Sequence, residues 1–350
     1  MQKILNTTVN SDKLFFGESG HGISRYDTIR YPILDKIDQK MKGFYWRPHE
    51  IDMSQEKRSF DKMNDIEQFV FTSNLKRQIL LDSIQGRAPA MVFLEHCSDP
   101  TLENALLTWG FFESIHSESY THIIRAIYPD PKVIIDDMPN IKQIADCAGD
   151  ISNYYDEFRV NPTKENLYLA LISAYALEGI RFYVSFACTF SFLERALVEG
   201  SSKTVKLIAR DEAQHLALTQ HILKLLPQDD PEFVDVVANN RNKVIEIFNT
   251  AAKQEKEWAE YLFENGSILG LNVDILSEYV DWLYVKRLKS IGITTDVKVG
   301  THPLPWLEKH FSSGSTQVAP QEVEISSYLT SSVTNDIGNI DLTSLFGDGL

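Results

Sequence analysis

Two Glu-x-x-His steps stand within apolar helical sequence, Glu113 with His116 in WGFFESIHSESYTHI and Glu212 with His215 in LIARDEAQHLAL. A three-residue step along a helix leaves carboxylate and imidazole about 60° apart on one face, so both can reach one metal ion. The spacing alone is weak evidence in a chain with 49 acidic residues and nine histidines. A third pair, Glu18 with His21, falls between glycines in GESGHG and reads as a loop coincidence. The stronger signal is a pair of lone acids, Asp82 and Glu178, which occupy apolar helical stripes with no histidine three residues on. Unpaired carboxylates in a core are strongly disfavoured, so four of them aimed at one interior call for cations. A carboxylate from each of two helices plus a Glu-x-x-His from each of two more is the ligand set of di-iron and di-manganese bundles. Oxygen and imidazole ligands suit iron or manganese, and composition does not choose between them. The bland alternative pairs Glu178 with Arg181 and leaves the other acids solvated, but it does not explain four coincidences of stripe and spacing.

Tyr120 lies seven residues after Glu113 and four after His116. That places it within about 20° of the first ligand on the same helix face, where a phenol faces the metals. Spacing alone does not separate it from an ordinary core tyrosine. Phe182, Phe186 and Ile208 stand four and eight residues after Glu178 and four before Glu212, and are expected to wall the site with side chains that are hard to oxidise.

The elements that must position these groups are helices, since alternating strand patterns are scarce and helical stripes are plentiful; the fold class expected is all-α. Helices are predicted over about 66–85, stopped by Gly86 and Pro89, then 101–127, 167–193, 203–226 ended by Pro227, 231–264 and 274–291, giving a bundle with extra flanking helices. The stretch 167–193 is long enough to cross a bilayer, but Glu178 and Arg181 sit near its middle, at a cost of roughly 2.5 to 3.5 kcal/mol each on insertion scales. It is read as a helix buried all round within a large helical domain. From Ser312 to Leu350 Ser, Thr and Gly dominate, five acids appear and Lys and Arg vanish, so the chain divides into a folded part, 1–311, and a flexible tail, 312–350. Ile340, Leu342, Leu345, Phe346 and Leu350 in that tail could order on a partner.

At 350 residues the chain has ample length for a core, and its net charge of −15 disfavours phosphate backbones, so no nucleic-acid partner is expected. Three widely spaced cysteines and a start without an apolar signal segment suit a reducing cytoplasm, and no membrane span is expected.

The strings LLDSIQGR, ESIHSESYTHIIR, NLYLALISAYALEGIRFYVSFAC, IARDEAQHL and APQEVEISSYL closely resemble the small, radical-generating subunit of class I ribonucleotide reductase, over about Phe15 to Leu329. The resemblance implies a ferritin-like helical homodimer that uses O2 at a site of two iron ions per chain to oxidise a tyrosine to a stable radical. Matched motif by motif, it makes Asp82, Glu113, His116, Glu178, Glu212 and His215 the metal ligands and Tyr120 the radical site. It assigns Trp46, in FYWRPHE, and Asp211 to a path of coupled proton and electron transfer linked to His116. Trp109 is placed beside the cluster. Tyr328, with Glu322 nearby, becomes the tail residue that relays oxidation to a large subunit, where ribonucleotides are reduced. The connection from Phe158 to Asn166 is shorter than in some relatives, and LTSLFGDGL departs from the family's tail pattern. Iron is the first choice of metal, with manganese open. Two other readings compete: a di-metal oxidase, hydroxylase or desaturase in which Tyr120 is incidental, and a ferritin-like storage cage.

Overall fold

The structure, a computed structural model, describes residues 12–17 and 23–311. Among them there is no β-strand, only two isolated bridges, and the chain forms the expected helical bundle. Local sequence opens the helices. Helix α1, Pro32–Lys42, starts on a proline whose missing N–H costs nothing there. Helix α2, Asp65–Gln85, starts with a capping box: the Asn64 side chain accepts from the Glu67 N–H at 3.0 Å, and the Glu67 carboxylate accepts from the Asn64 N–H at 3.1 Å. Helix α3, Pro100–Ile127, is capped by the Asp99 carboxylate, which takes the N–H groups of Thr101 and Leu102. Helix α4, Lys142–Val160, precedes α5, Lys164–Leu193, whose cap is the Thr163 hydroxyl.

Helix α6, Glu199–Asp229, lacks a local cap because Val198 before it, left-handed with φ of 40°, has no side-chain acceptor. A carboxylate from far upstream replaces it. Buried Glu56 accepts from the N–H of Gly200 at 2.8 Å and of Ser201 at 3.1 Å. Glycine is needed at 200, where a Cβ would lie 2.5 Å from the Asp52 carbonyl oxygen. Helices α7, Glu232–Asn239, α8, Arg241–Leu262, and α9, Val273–Ser290, complete the helices of eight residues or more among the described residues.

Helices α2, α3, α5 and α6 enclose the interior, with α1 against α3 and α6, α4 against α2 and α5, and α8 and α9 over the middle of α5. The most apolar window of α5 is buried entirely within the protein's own fold, as expected of a core helix. Three boundaries differ from the sequence expectation. Helix α6 runs through Pro227 to Asp229: the proline forgoes the bond its N–H would have made to the Leu223 carbonyl, but the Asp230 N–H still reaches the Leu226 carbonyl at 3.0 Å. The stretch 231–264 breaks at Asn240, whose side-chain amide caps the Val236 carbonyl at 2.9 Å. Helix α5 contains a π turn at Leu177–Arg181. The expected division at residue 311, the tail and its Tyr328 and Glu322 lie outside the described residues, as do Glu18 and His21.

Candidate metal centre

The four enclosing helices bring all six expected ligands together. Asp82 comes from α2, Glu113 and His116 from α3, Glu178 from the π turn of α5, and Glu212 and His215 from α6; none is more than 1% exposed. Ligand atoms of Asp82, Glu113, His116 and Glu212 lie within 4.8 Å of one another, and so do those of Glu113, Glu178, Glu212 and His215. Glu113 and Glu212 belong to both sets. The arrangement could hold two ions, with Glu113 and Glu212 available to both.

Hydrogen bonding within the cluster tests whether ions fit. His116 Nδ1 is 3.0 Å from Glu212 Oε1 and 3.6 Å from Glu113 Oε2. Yet those three atoms, with both oxygens of Asp82, have no hydrogen-bond partner. Close approach without bonding angles means the lone pairs converge on a common centre and not on each other's hydrogens, as ligands of an ion do. Four carboxylates and two neutral imidazoles carry four negative charges, which two divalent cations balance. The residues present thus fit a pair of metal ions. The pairing of Glu178 with Arg181 does not occur: Arg181 Nη2 donates to Gln254 Oε1 at 2.9 Å, while Glu178 accepts from Gln85 Nε2 at 2.7 Å and Thr219 Oγ1 at 3.4 Å.

Around the ligands a further layer of polar groups sets orientation. Trp109 Nε1 donates to Glu113 Oε1 at 3.0 Å, which puts Trp109 beside the cluster as expected. Trp46 Nε1 donates to Asp211 Oδ2 at 2.7 Å, and the same oxygen lies 3.4 Å from His116 Nε2. Trp46, Asp211 and His116 therefore form one continuous polar line. Arg210 holds the other Asp211 oxygen at 3.2 Å and donates to the Phe44 carbonyl at 2.6 Å. Sequence reasoning missed Gln85, Thr219, Arg210 and Tyr155, whose hydroxyl donates to Gln85 Oε1 at 2.6 Å and so turns the Gln85 amide toward Glu178. Gln85 lies three residues after Asp82 and Thr219 four after His215, so their helix faces were a usable signal.

Tyr120 is wholly buried and its hydroxyl has no hydrogen-bond partner. Its pKa is pushed well above the usual phenol value, first by burial and then by the charges of Asp82 and Glu212. Phe182, Phe186 and Ile208 are all buried in the same core.

The electrostatics of the cluster give a pH prediction. Burial, with the charges of Glu113 and Glu212, lifts the Asp82 carboxyl well above its ordinary range, and burial lifts Glu178. Burial opposes charge on the imidazoles, but carboxylate neighbours overcome it, raising His116 well above its usual value and His215 to about 10. The cluster without ions therefore holds protons at neutral pH that ions must displace. Because the raised His215 pKa keeps that proton bound below about 10, metal affinity rises with pH and falls on acidification, by about tenfold per pH unit for each proton displaced. Calorimetry of Mn(II) binding in buffers of different ionisation enthalpy should show proton release at pH 7; binding without it refutes this charge state.

A family profile described as "Ribonucleotide reductase, small chain" matches residues 24–296. The chain is 43% identical over 359 residues to the ribonucleoside-diphosphate reductase 1 subunit beta of Salmonella typhimurium, covering 95% of each sequence. The ribonucleotide reductase R2 subunit from Clostridium botulinum superposes with a TM-score of 0.82 at 23% identity, covering 89% of this chain and 99% of that one. A dimanganese(II) protein from Streptococcus sanguinis gives 0.68 at 19% identity, covering 82% and 98%. These two likenesses establish the ferritin-like helical fold.

Proposed function

We propose, from the premise that this chain belongs to the ribonucleotide reductase small-chain family, that its buried centre holds two iron ions, reduces O2 with them and stores the oxidising equivalent as a radical on Tyr120. The chain is the small subunit of a ribonucleoside-diphosphate reductase and works with a large subunit in deoxyribonucleotide synthesis. The observation that carries the finer proposal is the pair of ligand sets sharing Glu113 and Glu212, with buried Tyr120 seven residues after Glu113 on the same helix, α3.

Asp82, Glu113, His116 and Glu212 would hold one ion, and Glu113, Glu178, Glu212 and His215 the other. When bound, the ions supply the redox chemistry that reduces O2. The protein's residues do the rest. Oxidising Tyr120 removes its Oη proton, and Asp82, the carboxylate that acts most strongly on the phenol, is the group toward which it would pass. Complete burial then keeps the phenoxyl from water. Trp46, through its Nε1–H on Asp211 and the Asp211 contact with His116, offers a route for the electron and proton that O2 reduction needs from outside.

Manganese is the alternative metal, as in the Streptococcus sanguinis protein of the same fold. A homodimer is supported by Leu107 and Phe111, half-exposed four residues apart on α3, with Tyr45 stacked on Phe111 at 5.9 Å. Residues 312–350 would dock the large subunit, with Tyr328 relaying oxidation. Three buried, unpaired cysteines support a cytoplasmic setting. Aerobic reconstitution with ferrous iron should yield about two irons per chain, in keeping with the two shared ligand sets, and a sharp organic-radical EPR signal. Metal uptake without that signal removes the radical proposal, and hundreds of irons in a cage assembly would mean storage.

A further inference from the structure

Of the six ligand residues, only Glu178 rides on a π turn, Leu177–Arg181. Such turns are rare and interrupt regular helical bonding, so the surrounding structure has to hold them. Here two arginines from different helices donate to its carbonyl groups. Arg287 of α9 reaches the Gly179 oxygen through Nε at 3.1 Å, and Arg77 of α2 reaches the Arg181 oxygen through Nη1 at 3.3 Å. Together they grip the backbone just after Glu178 while Gln85 and Thr219 hold its carboxylate.

Arg287 is itself fixed. Its Nη2 donates to the Tyr183 hydroxyl at 2.7 Å and its guanidinium lies over the Tyr183 ring, 5.1 Å from the centroid. The absence of a side chain at Gly179 permits the approach, since a Cβ there would lie 3.3 Å from Cγ and Cδ of Arg287 and 3.2 Å from Cδ1 of Leu216. Arg77 has a second duty, the buried ion pair with Glu255, so removing it would strand a charge in the core. Arg287 is the clean handle on the π turn.

We propose that Arg287 is a positioning residue for one of the two ion positions: by holding the Gly179 carbonyl it fixes the π turn, and so sets Glu178 within reach of the ion shared with Glu113, Glu212 and His215. This rests on the two-metal reading above. It predicts an asymmetry, because Asp82 and His116 stand on α2 and α3 and do not depend on the π turn.

The test is Mn(II) titration of the full-length chain followed by EPR, which separates an isolated ion from a spin-coupled pair, alongside thermal melting of the metal-free protein. The wild type should take up a coupled pair. In Arg287→Gln the Glu178 position should weaken by about 10- to 100-fold while the Asp82 position is retained, so an isolated Mn(II) signal appears at intermediate loading. Arg287→Lys, which keeps one donor for the Gly179 oxygen but cannot also reach Tyr183, should fall between, and it carries the same comparison if the glutamine variant does not fold. Gly179→Ala, which displaces the arginine stem from the other side, should weaken the same position. A second-site affinity within about twofold of wild type in Arg287→Gln, or equal weakening at both positions, overturns the proposal. A wild type that binds no coupled pair overturns the two-metal reading and this inference with it; a coupled pair that forms in the variant at the same Mn(II) concentration as in wild type overturns this inference alone.

Discussion

Replacing Tyr120 by phenylalanine should abolish the organic-radical EPR signal after aerobic reconstitution while leaving metal content unchanged. Nucleotide reduction with the large subunit should fall at least about a thousandfold, equivalent to about 4 kcal/mol of barrier. The separation is possible because the six carboxylate and imidazole ligands are untouched and the residue, like its phenylalanine replacement, fills a fully buried site. Losing a hydroxyl that makes no hydrogen bond leaves no partner unsatisfied, so the fold should hold and the melting temperature should change little. A variant that keeps the signal would move the radical to another residue and make Tyr120 a core tyrosine. A variant that loses both signal and metal would mean the phenol supports the ligand cluster, and the stored-radical role would then rest on nothing.

The site was more legible than the helices that carry it. Glu-x-x-His steps and lone acids on apolar stripes survive as spacing, because ligands that share one helix face must recur at helical intervals. Asp82, Glu113, His116, Glu178, Glu212 and His215 were all readable this way, and the structure brings all six together. The π turn was not readable. Helix α5 is apolar on every side around Glu178, so its periodicity carries no phase and one extra residue per turn leaves no mark. Tyr155 escaped because α4 was not placed, although Ile144, Cys147, Ile151, Tyr155 and Phe158 recur on its buried face at steps of three and four. Other features are non-local by nature. Trp46 and Asp211 stand 165 residues apart and Glu56 caps a helix 144 residues downstream, so only a family resemblance could suggest the first and nothing in the chain announces the second.

The shared carboxylates make the last expectation the most discriminating. Glu212→Gln should cost affinity at both ion positions, whereas Asp82→Asn should cost it at one, because Glu212 belongs to both ligand sets and Asp82 to the first only. The metal-free proteins should differ as well, for a separate reason. Burial holds the Asp82 carboxyl toward its protonated form, so a neutral amide of the same shape changes little and the metal-free variant should melt near wild type. Glu212 faces His116 Nδ1 at 3.0 Å and His215 Nδ1 at 3.3 Å, and both imidazoles have raised pKa values. Removing its charge takes one carboxylate partner from each of two buried cations, which Glu113 and, for His116, Asp211 still hold, so the loss should stay below the roughly 3 to 5 kcal/mol of an unpaired buried charge. Bound metal at about 100 times its dissociation constant stabilises the native state by about 2.7 kcal/mol per site. Added Mn(II) should therefore raise the melting temperature of wild type most, of Asp82→Asn partly, and of Glu212→Gln hardly at all. Equal metal responses in the two variants would show that Glu212 serves a single ion, and the doubly bridged centre would have to be redrawn.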